Sequence, residues 1–275
     1  MSILVVELVP EGIVFGADRN ISDTHVGPVE VLEDSAQGRF IEQPHYHYFQ
    51  SSGAKILRWP KRKALIGYVG EAIIGGTPSD EWLYDFIGEN INFDNFTGLA
   101  ESLRRGVEDE RRKDEGEENP RALIIHLAGF EEREGIQVPA VWVIRNDHDP
   151  PYLKDLRKEF LAIDCIWPDL AKASLAPQDF RNHLTERAMK YNPLWFHQGI
   201  GLATFNLLEE ILRIGLRELD LFREVSLQSP KGLPYWERQV RLSVLLYGAY
   251  FQAFKEPFEQ DVGGGADVLS IPWPE

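Results

Sequence analysis

Two apolar runs separated by a tight-turn signal constrain this chain more than any other feature. Ile3 to Val9 is almost continuously apolar, Ile13 to Ala17 is a second such run, and Pro10-Glu11 with Gly12 lies between them. Uninterrupted apolar strands, as opposed to alternating ones, are expected where a sheet is covered on both faces. With Pro10-Glu11 as the turn, Val9 faces Gly12 and Ile3 faces Asp18, which brings Asp18 and Arg19 beside Ser2. A carboxylate that closes a buried strand needs a partner, because unpaired buried charge is costly.

Ser2 adds chemistry to this end of the hairpin. It follows Met1, and a small residue there is one after which an initiator methionine is commonly removed, so a serine with its own α-amine is expected. An α-amine with a reference pKa of about 7.7–8.0 is partly unprotonated near neutral pH and can act as a base. A hydroxyl beside its own base is an activated nucleophile.

The segment Ala54 to Ala72 predicts a second hairpin, with Pro60-Lys61 turning between Lys55–Trp59 and Arg62–Val69. Lys55 then faces Ile66, and Gly70 lies beyond, toward the same open end. A lysine entering an apolar strand loses water, which lowers its pKa; an Asp18 partner opposes that shift and holds the ammonium. Gly70 lets the backbone approach closely, so its N–H is a candidate oxyanion donor.

With these residues in place the chain resembles the catalytic β-type subunits of proteasomes and the simpler bacterial proteasome-like peptidases, which are N-terminal nucleophile hydrolases. Ser2, the stretch Gly12-Ile13-Val14-Phe15-Gly16-Ala17 and Asp18 match the family's start without a gap. Lys55-Ile56-Leu57 is similar to its lysine strand, and Tyr68-Val69-Gly70-Glu71-Ala72 to its glycine loop. Val262-Gly263-Gly264-Gly265-Ala266-Asp267-Val268 resembles the turn into its last strand. The resemblance implies catalytic roles for Ser2, Asp18, Lys55 and Gly70, with no metal or organic cofactor. It implies an N-terminal serine amide hydrolase, a peptidase working through an acyl-enzyme on peptides or unfolded proteins. Self-assembly into a homo-oligomer, served by an ATP-dependent unfoldase, is implied as well. The alternatives are an inactive proteasome-like ring or scaffold subunit and a small-molecule amidase on the same fold. The chain departs from the family in carrying Ser2 for threonine, Ile200 within Gly199-Ile200-Gly201 where a hydroxyl is expected, and Gly263 after Asp261 where a serine is expected. The non-catalytic subunits carry an extension before the first strand, so the start at Met1 is expected to mark the catalytic type.

The remaining chain sets the architecture. A net charge of −15 opposes a phosphate-backbone surface, so nucleic acid is not expected as a partner. The single Cys165 excludes an internal disulfide framework and fits a reducing, cytoplasmic setting, and Ala-Ile-Asp-Cys-Ile-Trp reads as packing. No apolar segment is long enough to span a membrane. Residues 21–54 form a long connection in which His45-Tyr46-His47-Tyr48-Phe49 reads as a strand with both histidines on one face. No third ligand accompanies the pair at clear spacing, so an edge or interface strand is preferred over a metal site.

Thr77 as N-cap and Pro78 as first helical residue start one helix, and Phe96, Leu99, Leu103 and Val107 stripe a second that runs into a solvated charged stretch, Glu108–Asn119. Ala122–Gly129 and Val138–Arg145 are strands around a Glu131–Gly135 loop, and Asn146 to Pro150 is a polar turn. Residues 151–195 show only weak periodicity. Two more helices carry the stripes Thr204 to Phe222 and Trp236 to Phe254, and Ala266–Ile271 closes the chain as a strand. This order suits an α+β fold, a four-layer αββα sandwich, as the resemblance also implies. The expected organisation is one domain over 1–275, enlarged near 21–54 and 151–195.

Overall fold

A computed structural model describes residues 3–34, 39–52, 54–59, 63–90, 92–93, 95–113, 121–147, 156–167, 175–190, 194–198, 210, 214, 232–254 and 265–274. Within 20–34, 39–52, 197–198 and 247–254 the description extends to the backbone only. The chain is a mixed α/β protein. Its strands are β1 (Leu4–Val9), β2 (Gly12–Asp18), β3 (Asn20–Asp34), β4 (Arg39–Ser52), β5 (Ile56–Arg58), β6 (Ala64–Gly70), β7 (Ile73–Ile74) and β8 (Thr77–Pro78). Helices α1 (Ser79–Glu89) and α2 (Phe96–Lys113) follow, then β9 (Leu123–Arg133), β10 (Ile136–Asp147) and β11 (Leu156–Asp164). After a short 3-10 turn come α3 (Phe180–Met189), β12 (Leu194–Gln198), α4 (Leu233–Phe254) and β13 (Ala266–Pro272).

Two larger sheets organise these elements, in the orders β12-β1-β2-β13 and β11-β10-β9-β6-β5. Every residue of β1 and β2 is buried, as an apolar run on both strands requires. Leu4, Val6, Leu8, Ile13, Phe15 and Ala17 enter one core with Leu65, Val69, Ala128 and Val141 of the other sheet. Val9 and Val14 join Trp236 and Val240 of α4 in a separate cluster. Ile66, Tyr68, Ile125 and Trp142 pack instead with Leu83 and Phe86 of α1 and Leu99, Leu103 and Val107 of α2. Strand alternation thus serves two cores from each sheet.

The first hairpin has the predicted register, Val9 opposite Gly12 and Leu4 opposite Ala17. Asp18 N–H donates to the Ile3 carbonyl at 3.3 Å, closing the open end. The second hairpin differs. Leu57, not Lys55, faces Ile66, and Tyr68 N–H donates to the Lys55 carbonyl at 3.1 Å. The closing pair is Trp59 and Ala64, so the connection is two residues longer than a turn centred on Pro60-Lys61. A shift of two keeps each side chain on its face, so the error moves Lys55 along the strand without turning it over.

Other differences arise from polar residues taken as solvated. Pro78, not Thr77, precedes the first helical residue of α1, and Ser79 spends its hydroxyl on the Glu71 carbonyl at 2.8 Å. Within the charged stretch after Val107, Glu108 and Arg111 are buried. Asn146 and Asp147 belong to β10 and are buried as well. The β9–β10 turn shrinks to Glu134-Gly135, both at positive φ, a combination suited to a two-residue hairpin turn. Residues 151–195 contain β11 and the first two residues of β12, strands that each lie at an edge of one of the two sheets. The stripe from Thr204 to Phe222 lies, apart from Glu210 and Ile214, outside the described residues, as do Gly199-Ile200-Gly201, Asp261 and Gly263. Among the described residues no helix is long and apolar enough to cross a membrane.

At Gly67 the two sheets pack closely: a Cβ there would meet Phe15 Cε1 at 2.7 Å and Leu4 Cδ1 at 2.8 Å. Gly67→Ala must displace both side chains in a packed core. It is expected to lose about 1–3 kcal/mol of stability, read from urea unfolding.

Candidate active site

Asp18 ends β2 at the mouth of the first hairpin, where β1 begins. Its Oδ1 accepts the Ile3 N–H at 2.8 Å and the Lys55 ammonium at 2.9 Å. The two side chains are 1% and 2% exposed, so this is a buried ion pair linking the two larger sheets. The Ile3 nitrogen is the amide that follows Ser2, so the carboxylate is bonded to the peptide unit joining Ser2 to the first strand. Ser2 itself lies outside the described residues.

Burial lowers the Lys55 pKa from the ordinary lysine value, while the charge of Asp18 and its hydrogen bond pull the other way. Burial also raises the pKa of Tyr68, the register neighbour of Lys55, and the negative charges of Asp80 and Asp18 add to that effect. Tyr68 therefore stays a neutral phenol. Its hydroxyl is buried and has no hydrogen-bond partner among the described residues.

Gly70 stands two residues past Tyr68, at the exposed end of β6. Its φ of 101° lies in the region that side chains other than glycine rarely adopt, and a Cβ would meet the Ala122 carbonyl oxygen at 2.0 Å. Only glycine fits here.

The chain beyond Gly70 is braced from several directions. Glu71 N–H donates to the Ala122 carbonyl at 2.8 Å, and Arg111 of α2 pairs with the Glu71 carboxylate. Arg111 also donates to the Arg121 carbonyl at 2.7 Å, and its guanidinium lies over the Phe160 ring. Asn146 accepts the Leu123 N–H at 2.8 Å and donates to the carbonyls of Arg121 and Arg157 at 2.9 and 3.0 Å. Leu103, Val107 and Arg111 are spaced by four, so Arg111 continues the buried stripe of α2; that spacing is the signal by which the sequence could have exposed it.

Arg19, the residue after Asp18, donates from Nε to Asp267 of β13 at 2.7 Å, on the exposed side of this region. A cleft of about 340 Å³ is lined by Ala54, Leu57, Asp80, Glu81, Tyr84 and Asp85. Cys165 is partly exposed and packs against the core between the sheets, away from this cluster. No group of three or more potential metal ligands occurs among the residues with described side chains.

No protein-family model matches the chain. No curated protein matches it either. Among solved structures it is similar to one described as "Anbu (ancestral beta-subunit) from Yersinia bercovieri", with 12% identity and a TM-score of 0.40. The match covers 98% of this chain and 82% of that one.

The lowered Lys55 pKa has a definite consequence for stability. Between the folded value and the ordinary value of about 10.4, the unfolded state holds more protons at this site, so stability rises with pH. The contribution is complete above the ordinary value and falls away as pH drops through the folded one. Wild-type protein is expected to gain unfolding free energy relative to Lys55→Met between pH 7 and pH 10, in paired urea titrations. Asp18→Asn removes the opposing charge and lowers the Lys55 pKa further, which ¹³C-lysine NMR reads directly.

Proposed function

We propose that this chain is an N-terminal serine amide hydrolase, a peptidase with the proteasome-like four-layer αββα architecture. The observation that carries the reading is the single oxygen, Asp18 Oδ1, bonded to both the Ile3 N–H and Lys55 at the start of the chain. Helix contacts on the outer faces of both larger sheets, together with the core between them, support the architecture.

In the proposed reaction Met1 is removed and the Ser2 α-amine takes the Oγ proton as Oγ attacks the substrate carbonyl carbon. The carbonyl π electrons move to oxygen, and the Gly70 N–H stabilises that oxyanion, an interaction of about 3–4 kcal/mol in the transition state. Collapse expels the amine leaving group, which takes the proton from the α-ammonium, and an ester of Ser2 remains. Water then hydrolyses the ester, with the α-amine again accepting and returning a proton. Lys55 biases the α-amine toward its unprotonated form by charge, and Asp18 fixes Lys55 in place. The cleft between Ala54, Leu57 and α1 gives a substrate side chain a place to lie. Assembly into a homo-oligomer around the sites belongs to the same reading.

The test is amide hydrolysis by purified chain lacking Met1, with fluorogenic peptide amides. Ser2→Ala is expected to lose at least about 1,000-fold in kcat/KM and Ser2→Thr to retain activity. The wild-type rate should rise with pH up to about 8 as the α-amine deprotonates. Undiminished hydrolysis by Ser2→Ala would overturn the proposal.

A further inference from the structure

The buried stripe of α2 runs through Leu99, Leu103 and Val107, and the next position on that face is Arg111. A leucine there would extend the stripe with no charge to bury. The guanidinium instead pairs with the Glu71 carboxylate, the two side chains being 9% and 10% exposed. The same nitrogen, Nη2, donates to the Arg121 carbonyl at 2.7 Å. Nε and Nη1 of Arg111 are buried and have no hydrogen-bond partner among the described residues. Unmatched buried donors cost stability, and a buried ion pair can often be replaced by apolar residues without loss. Stability alone does not account for a cation here. The place of its partner does, because Glu71 directly follows Gly70.

N–H groups alternate in direction along a strand. Tyr68 N–H donates to the Lys55 carbonyl at 3.1 Å, whereas Glu71 N–H donates to the Ala122 carbonyl at 2.8 Å, on the β9 side of β6. Gly70, two residues after Tyr68, therefore turns its N–H to the Lys55 side. Glu71 is held at three points: its N–H by Ala122, its carbonyl by the Ser79 hydroxyl at 2.8 Å, and its carboxylate by Arg111. Gly70, at a φ of 101°, has no side chain of its own to fix it, so its place is inherited from β6 on one side and Glu71 on the other.

We propose that Arg111 is a positioning residue for the Gly70 N–H, acting through Glu71, so that helix α2 sets the oxyanion donor. The inference rests on the hydrolase reading and deepens it. Arg111 acts from a fixed base. Its guanidinium carbon lies 4.9 Å from the centre of the Phe160 ring, and Glu108, three residues earlier on α2, accepts the Phe160 N–H at 2.8 Å. A displacement of about 1 Å at a reacting centre can cost on the order of 100-fold in rate, even when it originates away from the chemistry.

The experiment combines kinetics with amide hydrogen exchange on the full chain lacking Met1. Glu71→Met together with Arg111→Leu removes both charges and keeps apolar volume, so the fold is expected to persist. Its kcat for a peptide amide is expected to fall about 100-fold with KM changed less than about threefold, since an oxyanion donor acts on the transition state. Exchange of the Glu71 N–H should accelerate at least about tenfold, with the β1–β2 ladder unchanged. Arg111→Lys offers one nitrogen with several donors to the two acceptors that Nη2 serves, and should keep kcat within about tenfold. Arg112→Gln, on the exposed side of α2, should match wild type. Wild-type kcat in the folded double variant, beside an inactive Ser2→Ala, would overturn the inference and leave the hydrolase reading standing. A wild-type rate that Ser2→Ala does not lower would overturn the hydrolase reading and this inference with it. Unprotected exchange of the Glu71 N–H in wild-type protein would overturn the inference without recourse to any variant.

Discussion

One carboxylate oxygen ties the start of the chain to both larger sheets. Asp18 Oδ1 receives the Ile3 N–H and the Lys55 ammonium, and both side chains are almost wholly removed from water. Taking two charges into the interior costs several kcal/mol per ion, so the pair holds only with close geometry and further hydrogen bonds. Removing one partner leaves a buried charge uncompensated, which costs about 3–5 kcal/mol. The first hairpin positions Asp18, the second supplies Lys55, and Gly67 lets the sheets come close enough for the two to meet. Changes in hairpin register or sheet spacing therefore act on the same atoms.

The same constraint connects stability with the proposed chemistry. A lysine held in a dry site with its pKa lowered by burial and partly restored by Asp18 is sensitive to any neighbouring charge. Gly70 occupies a backbone conformation and a space that exclude any side chain, and the segment beyond it is held by Glu71, Arg111 and Asn146. A fixed N–H costs no reorganisation when charge develops on a substrate oxygen, which is what an oxyanion donor requires. In the proposed reaction these braces are positioning residues, since none of them meets the substrate.

Much of this was legible in the sequence where local rules act alone. The β1–β2 register followed from a two-residue turn between apolar runs, and Asp18 fell at its open end. The stripe Phe96, Leu99, Leu103 and Val107 marked the buried face of α2. The β5–β6 register slipped by two because Pro60-Lys61 looks like a complete turn, whereas the pairing closes at Trp59 and Ala64. Glu108, Arg111 and Asn146 were hidden for a different reason. Charged and amide side chains default to water unless tertiary partners exist, and those partners stand on elements distant in sequence, as the Phe160 N–H does for Glu108 at 2.8 Å. Ribbon β3–β4 read only as a connection containing one strand, because its pairing is set by a partner strand that carries no turn signature strong enough to fix register.

The most direct test of the account is intact-mass spectrometry of protein from its native host, before and after an epoxyketone or β-lactone probe, with the adduct mapped by peptide sequencing. The account predicts loss of Met1 and a single adduct on Ser2, absent when Asp18 is changed to alanine in a variant shown to remain folded. Retained Met1 with no adduct would contradict it, because Ser2 would then have no free α-amine and the Asp18–Lys55 pair would stand as a structural device alone.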